Sequence, residues 1–134
     1  MKILIVGPSG TIGSFVARAR RAPRDRRGRL QERRRAGRHQ GLRLTSGVLS
    51  HDPIRLGAGA SLANGALESS VRAAAIERPR GLRINAVSPG VLEESLPSYG
   101  PYFRGHDAVP GKRVANAYVK SVEGALTGQV FSVL

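Results

Sequence analysis

The sequence predicts an α/β fold, a parallel sheet with flanking helices. Two observations carry that prediction. Short apolar, strand-like runs alternate with segments of helical period, an order that favours parallel pairing. A glycine-spaced loop also follows the first apolar run directly, within "KILIVGPSGTIG".

Residues 2–6 form the first predicted strand, apolar from Ile3 to Val6 and partly β-branched. Gly7, Gly10 and Gly13 then stand three apart, and Thr11 to Ala19 can begin a helix. In a strand–loop–helix setting each glycine has its own task. The first permits the tight turn, the second lets backbone approach a pyrophosphate, and the third lets helix pack on strand. The N–H groups and dipole of the helix start favour an anion. Ser9 and Thr11 add hydroxyl donors. An ordinary strand-to-helix turn is the competing reading of the same residues.

After Ala19 the pattern collapses into an arginine-rich stretch. Residues 14–41 hold 11 arginines against Asp25 and Glu32, a surplus of +9 within a chain whose net charge is +13. Pro23, Gly28 and Gly37 interrupt this stretch, and Leu30 is its one large apolar residue after Val16. Such a segment buries too little apolar surface to offset the ordering of its backbone. Residues 18–41 are therefore expected to be a disordered insert, or the product of a deletion or a reading-frame shift in a GC-rich gene, within a single domain of 134 residues.

The predicted order returns at residues 41–47, a short strand ending at Thr45-Ser46-Gly47. A helix follows over 60–78, with Leu67, Val71 and Ala74 as its apolar stripe and Glu68 and Arg72 off it. Pro79 ends it, because the residue before a proline is pushed out of the helical region. Residues 82–87 alternate as a strand, turned by Ser88-Pro89-Gly90. A loop spans 91–111 and carries Tyr99, Tyr102 and Phe103, which either line a pocket or pack onto the sheet. A helix runs from Arg113 to Glu123 and stops at Gly124. Thr127-Gly128 turns into a last strand over 129–133.

Composition narrows the function. The chain contains no cysteine, so disulfide and thiolate chemistry are excluded. No apolar run reaches the length of a membrane span or signal peptide, so a cytoplasmic location is expected and no membrane partner. His39 and His106 lack companions at metal-ligand spacing, so no metal site is expected. His51-Asp52 reads as a solvated loop pair, and Glu93-Glu94 as a solvated turn or helix start.

The C-terminal half, with "LTSG", "GASLANGALESSVRAAAIERPRGLRINAVSPG" and "TGQVFSVL", resembles the second half of the short-chain dehydrogenase/reductase family. In that family a strand ends in a catalytic serine. A Tyr-x-x-x-Lys helix follows, then a strand closing in Asn-x-x-x-Pro-Gly, then a Thr-Gly strand. Asn85 to Gly90 matches the Asn-x-x-x-Pro-Gly motif and Ser46 matches the serine. Gly7, Gly10 and Gly13 match the cofactor loop in the spacing of less typical branches. The resemblance covers residues 1–17 and about 41–134. It implies a Rossmann-like parallel sheet, incomplete here because the arginine block stands where central strands belong. It also implies hydride transfer between NAD(P) and a small carbonyl or alcohol.

By that resemblance Gly7, Ser9, Gly10, Thr11 and Gly13 hold the pyrophosphate, Asn64 approaches the ribose, and Pro89, Gly90 and Val91 flank the nicotinamide. Ser46 faces the substrate. The chain departs from the family at the acid–base pair, where Ala60 takes the tyrosine position and Asn64 the lysine position. Alanine transfers no proton and Asn64 carries no charge, so little or no turnover is expected. The zone after the glycine loop contains Glu32 and Arg33-Arg34-Arg35. The arginines read either as a contact to a 2′-phosphate, which inclines the cofactor towards NADP over NAD, or as a solvated run. Family members usually pair through helices flanking the sheet, and the loss of one such helix leaves homo-oligomer formation open. Two other function classes stay in view. One is non-specific nucleic-acid binding through residues 18–43, steeply weakened by salt. The other is a nucleotide-binding interaction protein without chemistry.

Overall fold

The computed structural model describes residues 40–77 and 81–134. The expected strand over 2–6, the glycine-loop residues Gly7, Ser9, Gly10, Thr11 and Gly13, and all but the last two residues of the 18–41 block lie outside the described residues.

Three parallel strands form the sheet, β1 (Gln40–Thr45), β2 (Leu82–Pro89) and β3 (Val130–Val133), in the order β1-β2-β3. Helix α1 (Ala58–Glu77) connects β1 to β2. The short α2 (Leu96–Tyr99) and then α3 (Gly111–Glu123) connect β2 to β3. Gln40 pairs with Leu82 through to Thr45 with Val87, and Ala86 pairs with Val130 through to Pro89 with Val133. β2 is thus flanked on both sides, and its residues from Ile84 to Pro89 are buried without a break. That is the pattern expected of a parallel strand covered on both faces.

Side chains alternate across the sheet. Leu42, Leu44, Ile84, Ala86 and Val130 point to one face and pack under Leu67, Val71, Ala74 and Ala75 of α1. Val87, Phe131 and Val133 point to the other, where Val114, Ala115 and Tyr118 of α3 join Leu92 and Val109. Gly128 sits at φ +72 in the turn before β3, and a Cβ there would meet the Cβ of Ala75 at 3.0 Å. Both the backbone conformation and the approach of α1 require glycine at that point.

Several boundaries differ from the sequence reading, each for a local reason. β2 continues through Ser88 and Pro89 instead of turning there, because Gly90 N–H donates to Val133 O at 2.9 Å and carries the ladder past the proline. As the last strand residue, Pro89 removes no interior ladder bond. α3 starts at Gly111, where the Glu94 carboxylate accepts from the Gly111 N–H at 3.1 Å and satisfies a free helix-start donor. The expected loop over 91–111 contains α2 and two single 3₁₀ turns, Glu93–Ser95 and Gly100–Tyr102.

Asn85 is fully buried on the α3 face. Its amide donates to Ser121 Oγ at 3.2 Å and Leu126 O at 3.0 Å, and its carbonyl accepts from Gln129 N–H at 3.0 Å. This asparagine therefore ties the central strand to the segment that leads into β3. No helix among the described residues is long and apolar enough to cross a membrane.

Candidate functional site

A cavity of about 550 Å³ opens at the carboxyl ends of β1 and β2. This is where ligands bind in open α/β sheets, and the volume falls in the range of small-molecule sites. Ser46 and Gly47 reach it from the end of β1, Ala60 and Asn64 from the first turns of α1, and Pro89, Gly90 and Val91 from the end of β2. Ile54, Leu56, Tyr99, Tyr102 and Phe103 form apolar and aromatic walls, with Arg55 among them. Leu56 has φ 64, an uncommon left-handed conformation for a non-glycine residue, and its side chain is almost fully exposed at the cavity rim.

Ser46, Asn64, Pro89, Gly90 and Val91, singled out in the sequence, therefore meet in one place. Ala60 and Asn64, which the sequence reading sets at the family's acid–base positions, lie one turn apart on α1 and both face this cavity. Asn64 makes no hydrogen bond among the described residues, so its carboxamide is available to a ligand. The cofactor-loop residues lie outside the described residues.

The sequence reading missed Glu68. Its side chain is 2% exposed, and it sits one turn beyond Asn64 on the same face of α1. Ser46 Oγ donates to Glu68 Oε1 at 2.7 Å and Ser50 Oγ donates to the same oxygen at 2.9 Å. His51 Nε2 lies 2.9 Å from Oε2, and the His51 side chain is 58% exposed. Burial raises the affinity of Glu68 for its proton. The hydroxyls of Ser46 and Ser50 and the His51 ring outweigh it, so the carboxyl lies below its ordinary range. An ionised carboxylate is thus held directly behind the Ser46 hydroxyl at the cavity.

The same cluster revises the reading of His51-Asp52 as a merely solvated pair. The two side chains do not pair with each other. His51 meets Glu68, and Asp52 Oδ2 lies 3.3 Å from His106 Nδ1. Among the described residues no group of three His, Cys, Asp or Glu side chains is placed to hold a metal.

Among solved structures, the chain is similar to the protein lin1944 from Listeria innocua. The match has 50% identity and TM-score 0.69, over 70% of this chain and 47% of that one. It is also similar to a structure described as a small-chain dehydrogenase, at 26% identity and TM-score 0.55, over 69% of this chain and 42% of that one. The chain resembles the short-chain dehydrogenase/reductase family. A further small-chain dehydrogenase, in complex with NADPH, shares the fold at 23% identity and TM-score 0.57, over 69% of this chain and 48% of that one. The chain spans about half the length of the solved structures it matches. No protein-family model matches it, nor does any curated protein.

Proposed function

We propose that this chain carries an NAD(P)-dependent oxidoreductase site for small carbonyl or alcohol substrates, one that lacks the family's tyrosine–lysine acid–base pair and turns over slowly. The observation that supports it most is the cavity, where Ser46, Ala60, Asn64 and Pro89–Val91 converge from three separate elements. The residues present suit the nicotinamide-ribose end of such a cofactor. The glycines and Ala60 leave room, and the free carboxamide of Asn64 offers both a donor and an acceptor to ribose hydroxyls.

When bound, the nicotinamide supplies or accepts a hydride. Around it, Asn64 holds the ribose, and Pro89, Gly90 and Val91 flank the ring. Ser46 places a hydroxyl against the reacting oxygen, while Tyr99, Tyr102 and Phe103 exclude water from an apolar substrate. Gly7, Ser9, Gly10, Thr11 and Gly13 hold the pyrophosphate in this reading, and Arg33 to Arg35 incline the choice towards NADP. Slow turnover follows because Ala60 has no proton to transfer and Asn64 has no charge to lower a neighbour's pKa.

A thermal melt of the full chain with and without NADPH tests the cofactor half of the proposal. A ligand that binds only the folded state at 100 times its Kd stabilises by about 2.7 kcal/mol, which raises Tm by several degrees in a domain of this size. A melt that NADPH leaves in place removes the oxidoreductase reading.

A further inference from the structure

The family's proton-transfer positions are empty of chemistry in this chain, yet a buried titratable group stands one helical turn further on. Ala60, Asn64 and Glu68 are spaced four residues apart along α1, so they lie in line on one helix face. The first two face the cavity, and the third touches it through Ser46. Among the described residues lining the cavity, the titratable side chains are Arg55, Tyr99 and Tyr102, and both tyrosines are more than half exposed. Glu68 differs from all three in being sealed from solvent and bonded to the hydroxyl that faces the substrate. A buried carboxylate with hydroxyls on one oxygen and an imidazole on the other is costly to build. Helix packing alone does not need it, since Val71 and Leu67 already supply the apolar contact.

We propose that Glu68 is the proton acceptor of this site, working through Ser46, with His51 held against its other oxygen from the solvent side. The inference rests on the oxidoreductase reading above. In alcohol oxidation the substrate hydroxyl gives its proton to Ser46 Oγ while Ser46 gives its own to Glu68 Oε1. The C–H bond at the carbinol carbon breaks, its electron pair leaves as hydride to the oxidised nicotinamide cofactor, and the C–O bond becomes a carbonyl. The transferred proton ends on Glu68. Reduction runs the same transfers backwards. The ground-state hydrogen bond already runs in the oxidative direction, because Ser46 donates to Glu68. Ser46 is the catalytic residue in this scheme, and Glu68 and His51 are positioning residues that act through it.

The groups facing Glu68 define what its pH dependence must show. Ser46 faces it from the end of β1, Ser50 and His51 from the following turn, and Ser88 from β2. The Asp52–His106 pair lies next to His51, and Arg72 lies one turn on along α1. The His51 ring contacts the other carboxylate oxygen and adds to the lowered proton affinity of Glu68.

The experiment uses the full chain with NADP⁺ and 1-phenylethanol, an aromatic secondary alcohol suited to the aromatic wall, with NADPH binding measured separately by its fluorescence. The expected oxidation rate falls as pH drops through the Glu68 range. His51→Gln moves that midpoint to higher pH. Glu68→Gln, checked for folding by its melt, lowers the rate about 100-fold, at the low end of what a general base contributes, and flattens the profile. In the cofactor-free protein, the ¹³C carboxyl resonance of Glu68 titrates at higher pH in His51→Gln and in Ser46→Ala than in the parent chain. NADPH binding with no oxidation, or a rate and profile that Glu68→Gln leaves in place, overturns the proton-acceptor role while sparing the cofactor reading. Failure of NADPH to bind overturns the cofactor reading, and this proposal with it.

Discussion

Glu68 lies on the α1 face of the sheet and Arg43 on the α3 face, and both are nearly sealed from solvent, at 2% and 5% exposure. Both oxygens of Glu68 are occupied, one by two serine hydroxyls and the other by His51. Arg43 donates from Nη2 to Ser121 O at 2.9 Å, but its Nε and Nη1 have no partner among the described residues. Burial, then the charge of Arg83, pushes the Arg43 guanidinium below its ordinary range. The carboxylate is thus embedded in a network built for it, whereas the guanidinium occupies a strand position whose neighbours do little to support a charge. Position explains the contrast. Glu68 sits where three elements converge on the cavity, and Arg43 sits on β1, whose outer edge has no described strand beside it.

The largest effect that tests this contrast is expected from Glu68→Ala. It strands the buried Ser46 hydroxyl, leaves Ser50 only its weaker bond to Gly47 O, and opens a void under α1, for a loss of about 3 kcal/mol. A urea melt that reads less than ~1 kcal/mol would show that the network is not the stabilising feature described here. Arg43→Met should act in the opposite direction. It keeps most of the aliphatic length and removes an incompletely paired buried charge, so a gain of about 1–2 kcal/mol is expected. Destabilisation instead would mean that the guanidinium has a partner outside the described residues.

These two residues also show how much was legible in the sequence. The strand–helix alternation and the order of the elements could be read from periodicity and turn residues, and the grouping of Ser46, Asn64 and Pro89–Val91 from the family resemblance that the Asn85-to-Gly90 motif carries. Glu68 could not be read in the same way, because the stripe Leu67-Val71-Ala74 was centred one position too far round the helix. A line of buried and half-buried residues also runs through Asn64, Glu68, Val71 and Ala75, at spacings of 4, 3 and 4 residues. A charge inside an otherwise apolar helical period was the available signal, and hydropathy alone discounts it. Asn85 was legible as a motif residue, but its three hydrogen bonds join segments more than 30 residues apart and exist only in the fold. The pairing of Glu68 with His51 is likewise a tertiary fact, since 17 residues separate the two.

A smaller effect is expected from Tyr118→Phe on the α3 face. The Tyr118 hydroxyl hydrogen-bonds Thr45 Oγ1 at the end of β1. Burial raises the phenol above its ordinary range and the Thr45 contact only partly opposes it, so the group stays neutral. Its loss should cost about 1 kcal/mol, the usual net worth of one hydrogen bond, with the ring's packing against Val87 and Val114 kept. Thr45→Val should cost a similar amount, and the double variant should cost little more than either alone, because the same bond is removed in each. Full additivity would show that the two hydroxyls act independently.

The smallest expected effect separates the two faces by pH. The folded Glu68 carboxyl binds its proton less readily than an unfolded one. Its stabilisation is therefore complete above the unfolded carboxyl's range and is lost as pH falls through the folded value. Arg43 has the opposite linkage. Its folded affinity for the proton is lowered, so its charge opposes folding at every pH below the unfolded guanidinium range. Melts of the parent chain should therefore lose stability on acidification more steeply than melts of Glu68→Gln, in which that titration is absent. Arg43→Met should shift the whole curve upward without changing its acid slope. If Glu68→Gln keeps the parent's acid slope, the slope belongs to other carboxylates. The distinction between a supported and an unsupported buried charge would then rest on Arg43 alone.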